Sequence, residues 1–231
     1  MDIFEFVMIL VSIVVGLGLS SLLIGAGDLL KSRHLVRVYP PQLWQGATVL
    51  LLLLLAWWRT WRLSGLEASA WRFGSILLLL GLLLILFVAG HLVFSRDADE
   101  DPRAHYFRQF RLVYGLLGFT FVLIVSLLTA VFSVPLSAQL RDLAWSLPFL
   151  ALAASSNERL HRFGPPLLTV LLFIAALIEA FFRQLVPSDL ARWSMAGATG
   201  LFWTWYFFVH GRRHGARGPG DAMAPREGRR S

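Results

Sequence analysis

Residues 71–94 read WRFGSILLLLGLLLILFVAGHLVF, and beyond Arg72 the only titratable side chain among them is His91. As an α-helix this stretch is about 36 Å long, more than the ~30 Å of hydrocarbon in a bilayer. In water it would expose apolar side chains around its whole circumference, so it is read as a membrane span. Working outward, six further stretches have the same character: about 3–26, 42–61, 108–132, 138–155, 166–183 and 190–210. The fold class expected is therefore all-α, a polytopic bundle of seven transmembrane helices over residues 1–210, followed by a basic tail at 211–231.

Composition agrees. Hydrophobic residues make up 57% of the chain and charged residues 15%, with a mean hydropathy of +0.66. Soluble domains hold about 45–50% and about 25% respectively. Seven spans of ~20 residues use most of the 231 positions, so no soluble catalytic domain fits beside them. The chain has no cysteine, which excludes disulfides, thiolate metal sites, iron–sulfur clusters and cysteine nucleophiles. A net charge of +7 would suggest nucleic acid in a soluble protein. Here the cations lie in loops and tail, where orientation and lipid headgroups account for them, and no nucleic-acid partner is expected.

The charges also orient the bundle. The first span is preceded by acids, Asp2 with Glu5 just inside it, and followed by Lys31, Arg33 and Arg37. That is the reverse of a signal peptide, so the segment is expected to stay as an anchor. With the amino terminus outside, three cations after the first span, four from Arg96 to Arg111, two at Arg159 and Arg162 and six in the tail fall inside, against six outside. This asymmetry follows the positive-inside rule. The fifth span is the weakest, since it carries Arg141, Asp142 and Pro148. Making it re-entrant would move the six tail arginines outside. Aromatic residues at span ends (Trp44, Trp57, Trp58, Trp61, Trp71, Trp193) suit interfacial belts.

Pro40-Pro41 and Pro165-Pro166 are read as opening the second and sixth helices, and Asp101-Pro102 as an N-cap followed by proline. Arg37-Val38-Tyr39-Pro40-Pro41 returns as Arg162-Phe163-Gly164-Pro165-Pro166, and Trp71 has a counterpart in Trp193. This suggests a 3+1+3 parallel repeat, as some transporters use.

Candidate site residues lie on three helices. In the first, Ser12, Gly16 and Ser20 form a small-residue stripe at four-residue steps, with Glu5 and Gly27 on the same face. Such a stripe permits close helix approach, and it is read either as a packing seam or as the lining of a ligand path. Near the outer face, Glu5, Arg59, Arg62, Asp142, Glu179 and Arg183 are expected to converge on a polar pocket, or else to snorkel at the interface. Glu179 and Arg183 are also spaced for an intrahelical ion pair. In the seventh helix, Thr199, Trp203, Tyr206 and His210 share a face that belongs inside the bundle, as core or as cavity wall.

Other motifs exclude functions. His91 and His210 fall in last turns, where imidazole meets free carbonyls; with Asp28 they are not read as a metal site, and neither metal nor other cofactor is expected. The acidic loop Asp97 to Asp101 lacks the Gly and Glu of a calcium loop, having Pro102 and Arg108 at those positions. Lys31 is the only lysine, so no span offers an amine for retinal. The hydrolase, metalloprotease, P-loop and dinucleotide fingerprints are missing. The tail has the composition of a disordered segment.

Phe4-Glu5-Phe6-Val7, Leu10, Ser12-Ile13, Gly16-Leu17-Gly18 and Trp57-Trp58 resemble a group of small uncharacterised bacterial polytopic membrane proteins. The resemblance covers about the first quarter of the chain and implies a bacterial inner-membrane location, with no activity to carry over. Pro41-Gln42 also resembles the motif of PQ-loop transporters, although it precedes the expected helix. The functional expectation is a non-enzymatic bundle that binds a small ligand, transporter- or sensor-like, in contact with membrane lipids. The alternatives are an intramembrane enzyme acting on a lipid or isoprenoid, with Glu5, Asp142 or Glu179 as acid–base groups, and a structural subunit with a protein partner or a second copy.

Overall fold

The computed structural model describes residues 2–31, 38–65, 71–95, 100–132 and 136–177. These residues form helices α1 (Ile3–Lys31), α2 (Pro40–Trp61), α3 (Phe73–Val93), α4 (Pro102–Phe132), α5 (Leu136–Ala144), α6 (Ser146–Ala154) and α7 (Glu158–Leu177), with one 3-10 turn at Arg62–Gly65. No strand occurs among them. Five of these helices, α1, α2, α3, α4 and α7, are long and apolar enough to cross a membrane. The expected span at 190–210, with Thr199, Trp203, Tyr206 and His210, lies outside the described residues, as do Glu179, Arg183 and the tail.

Successive helices from α1 to α4 run in opposite directions; α1 and α3 are parallel to each other, as are α2, α4 and α7. α1 packs on α2 and α3, α2 on α7, α3 on α4, and α4 on α6. One end of the bundle gathers Ile3, Trp61, Phe73 and Leu177; the other gathers Lys31, Pro40, Val93, Pro102 and Glu158. These are the Ile3 end and the Lys31 end below. The core between them is built from Leu53, Leu83, Leu86, Leu117, Phe149, Leu152, Leu160 and Leu168, all fully buried.

Helix α1 starts with the reaching-back half of a capping box, its Glu5 side chain accepting from the Asp2 amide. The Asp2 carboxylate accepts from the Ile3 amide at 2.7 Å, and the Asp2 amide donates to Glu5 Oε2 at 3.0 Å. Its packing face is Val7, Val11, Val15, Gly18 and Leu22, whereas Ser12, Gly16 and Ser20 are exposed. The small-residue stripe is therefore not the seam to neighbouring described helices. A Cβ on Gly16 or Gly27 would meet nothing within 4 Å, while one on Gly18 would lie 2.9 Å from Leu53 and one on Gly25 2.7 Å from Phe94. The close approaches are made at Gly18 and Gly25, seven residues apart, on another face.

Pro40 opens α2 as expected, and Pro41-Gln42 fall in its first turn. Asp101 caps α4, its carboxylate accepting from the amides of Arg103 and Ala104 at 3.4 and 3.2 Å, with Pro102 supplying the first helical position. At 31 residues, α4 is about 46 Å long, so its polar start precedes the apolar run that begins near residue 108.

The expected fifth span falls on two short helices, α5 and α6, which meet at Trp145 and are not among the five long enough to cross. Pro148 has no amide hydrogen for the Ala144 carbonyl and its ring crowds that carbonyl, and the chain turns at Trp145 between α5 and α6. Bonds from the Trp145 amide to the Asp142 carbonyl (3.2 Å) and from Ser146 Oγ to the Leu143 carbonyl (2.6 Å) close that turn.

Pro165-Pro166 do not open the sixth span. They lie inside α7, which starts earlier because the Asn157 side chain accepts from the Arg159 amide at 3.1 Å and so caps it. The two Pro-Pro pairs thus occupy different places, one at a helix start and one mid-helix. Gly164 lets Leu152 approach within 2.8 Å of where its Cβ would stand.

Candidate functional site

Beside the junction of α5 and α6, the bundle leaves a cavity of about 60 Å³ toward the Ile3 end. Five elements wall it: Leu52, Leu55, Ala56 and Arg59 from α2; Leu82 and Leu86 from α3; Thr120, Phe121 and Ile124 from α4; Asp142 and Trp145 at the break; Leu172, Ala175 and Ala176 from α7. A cavity needs roughly 10–15 Å³ in this measure to take one water, so there is room for a small polar group and a few heavy atoms.

Its chemistry is divided. Thr120 turns its hydroxyl back to the Leu116 carbonyl at 3.0 Å, and Trp145 and Phe121 are buried aromatics. The charged groups on the wall are Arg59 and Asp142, both half-buried. An apolar box with a guanidinium and a carboxylate on its rim suits a ligand that pairs a polar head with an apolar body. Broken helices are a recurring way to build such a site, because they free backbone polar groups inside a protein that sits in lipid.

Of the residues expected at an outer polar pocket, the fold brings Arg59 and Asp142 onto one cavity. Glu5 is instead exposed and accepts from the Asp2 amide at the start of α1. Arg62 begins the 3-10 turn, and its side chain, like Glu179 and Arg183, is outside what is described. Ser12 accepts a bond from Trp57 Nε1 at 3.2 Å on the exposed side of the bundle. Gly16 and Ser20 do not touch the cavity. His91 meets Ser21 Oγ at 3.3 Å, and no group of residues that could hold a metal occurs among the described ones.

A second polar cluster lies at the Lys31 end and has no counterpart in the sequence reading. His161, fully buried on α7, faces the Ser155 carbonyl through Nε2 at 2.6 Å and the Tyr106 hydroxyl through Nδ1 at 2.8 Å. A carbonyl only accepts, so Nε2 carries the proton and Nδ1 accepts from Tyr106. The Tyr114 hydroxyl lies 3.4 Å from that of Tyr106. Phe107 and Phe110 pack edge-on against the imidazole and Tyr39 edge-on against Tyr106, Phe110 with its centroid 4.5 Å from the imidazole. Burial, and then the nearby Glu158 carboxylate, hold the Tyr39 phenol above its ordinary value. Beside this cluster Glu100 binds Ser95, His105 and Arg108. The Ser95 hydroxyl, and after burial the His105 and Arg108 contacts, keep its carboxyl below the usual range, burial itself acting the other way. The proline pair hid this cluster: with the helix start placed at Pro165, His161 fell in a loop. Asn157, four residues upstream of it, was the available signal.

Fold and composition define the chain as a multi-pass helical membrane protein with a polar-rimmed cavity at a broken helix. Compared with protein-family models, curated proteins and solved structures, it matches none.

Proposed function

We propose that the chain is a seven-span protein of the bacterial inner membrane, amino terminus outside and tail inside, that binds a small amphipathic molecule in the cavity at the Pro148 break, as a transporter- or sensor-like bundle. One observation carries the reading: Arg59 and Asp142, from distant parts of the chain, line the same otherwise apolar cavity. The uneven placement of the 21 Lys and Arg residues supports the orientation, and the resemblance of the first quarter of the chain supports the location.

The test is to purify the protein in native-lipid discs and identify small molecules released on denaturation. A compound held by wild type should be lost from Arg59→Gln and Asp142→Asn and kept by Glu5→Gln, with all three variants remaining monodisperse. Retention by both cavity variants would refute the proposal. Recovery of a chemically converted lipid would favour an enzyme instead. Flux of the identified compound into proteoliposomes then separates transporter from sensor.

A further inference from the structure

We infer that the Lys31 end of the bundle binds the phosphodiester headgroup of an anionic phospholipid between Arg111, Arg159 and Arg162. The balance of charge there carries the argument. Among the described residues at this end, each carboxylate is engaged: Asp28 lies 3.7 Å from Lys31, Glu158 lies 2.9 Å from Arg103, Glu100 holds His105 and Arg108, and Asp101 caps α4. Arg111, Arg159 and Arg162 are all exposed, and none has a carboxylate in salt-bridge range among those residues. Arg111 donates to a neutral hydroxyl, Ser156 Oγ, at 3.0 Å, and Arg162 lies 5.9 Å over the Phe163 ring.

All three lie at the same end of the bundle. Arg111 is held against Ser156, in the turn that leads into α7, and Arg159 and Arg162 are three residues apart in the first turns of that helix. Guanidinium groups bind phosphate oxygens in pairs through their planar N–H forks. A lipid is the occupant favoured over a soluble anion because the helices at this end also carry exposed apolar side chains further along: Leu112 and Phe119 on α4, Leu150 on α6, Phe163 and Phe173 on α7. These offer contact to acyl chains below a headgroup at the level of the arginines. The site is separate from the cavity at the Pro148 break and does not depend on that proposal.

The protein in nanodiscs of equal parts phosphatidylglycerol and phosphatidylcholine tests this by native mass spectrometry of the lipid retained. Wild type should hold phosphatidylglycerol in preference by about tenfold or more. The combined variant R111Q/R159Q/R162Q should fall to the bulk ratio. The tail variant R212Q/R213Q/R217Q, which loses the same formal charge, should keep the preference, and R111K/R159K/R162K should keep part of it. No preference in wild type, or equal loss in the two glutamine variants, would overturn the site.

Discussion

His161 shows how a single side chain can fix the local arrangement of three elements. Its ring joins α7 to the end of α6 through the Ser155 carbonyl and to α4 through Tyr106. Tyr106→Phe leaves the buried Nδ1 acceptor without its donor, which costs about 1–3 kcal/mol. Thermal unfolding in detergent should show a clear fall in Tm for this variant. Tyr114→Phe should cost less, since its contact to Tyr106 spans 3.4 Å and weakens with length; equal losses would mean that the chain of hydroxyls is not what holds the imidazole. Glu100 gives a pH dependence of known sign. Its carboxyl is held below the ordinary value of 4.5, so the folded state binds the proton more weakly than the unfolded state. That contribution is whole above the ordinary value and is lost as pH falls through the lowered one. Tm should therefore drop on acidification below about pH 5, and Glu100→Gln should flatten that slope; an unchanged slope would count against this role.

At the scale of elements, the two glycine sets of α1 make opposite predictions. Gly25→Ala drives a methyl to within 2.7 Å of Phe94 Cβ, close to the backbone where little can give, and should lower stability. Gly16→Ala meets nothing within 4 Å and should leave stability unchanged or slightly raised, since alanine is the better helix former. Measured in the same detergent, the reverse order would show that the stripe at Ser12, Gly16 and Ser20 is the packing face after all. Pro148→Ala restores an amide donor to the Ala144 carbonyl and removes the ring that crowds it. We expect α5 and α6 to merge, with a higher Tm and loss of whatever the cavity holds. Survival of ligand binding would detach the cavity from the break. Helix starts were legible where a cap stood beside a proline, as at Asp101-Pro102. At Pro165-Pro166 the same punctuation misled, because a cap eight residues earlier, Asn157, had already begun the helix, and a membrane helix tolerates interior prolines when neighbouring groups compensate.

For the whole molecule, the seven-span reading predicts that reporters fused at Ser231 and in the loop between Arg183 and Leu190 lie on opposite sides of the membrane, the former inside. Finding them on the same side would refute it. Orientation rests on charge placement, and within the described residues the Lys31 end holds Arg103, Arg108, Arg111, Arg159 and Arg162, the end that this reading places inside.

The sequence by itself determined that the chain is a helical membrane protein and roughly where the five membrane-length helices lie, because length, hydropathy and the order of charges are properties of the chain in one dimension. Arg59 and Asp142 could be named from it, since a charge beside a span stands out. Only the tertiary structure decided which faces meet. In the 71–94 stretch, leucine and isoleucine surround the whole helix, and lipid is as apolar as the bundle core, so periodicity carries no signal of inside against outside. For the same reason the packing face of α1, the partners of His161 and the cavity at the Pro148 break were settled by how the helices cross.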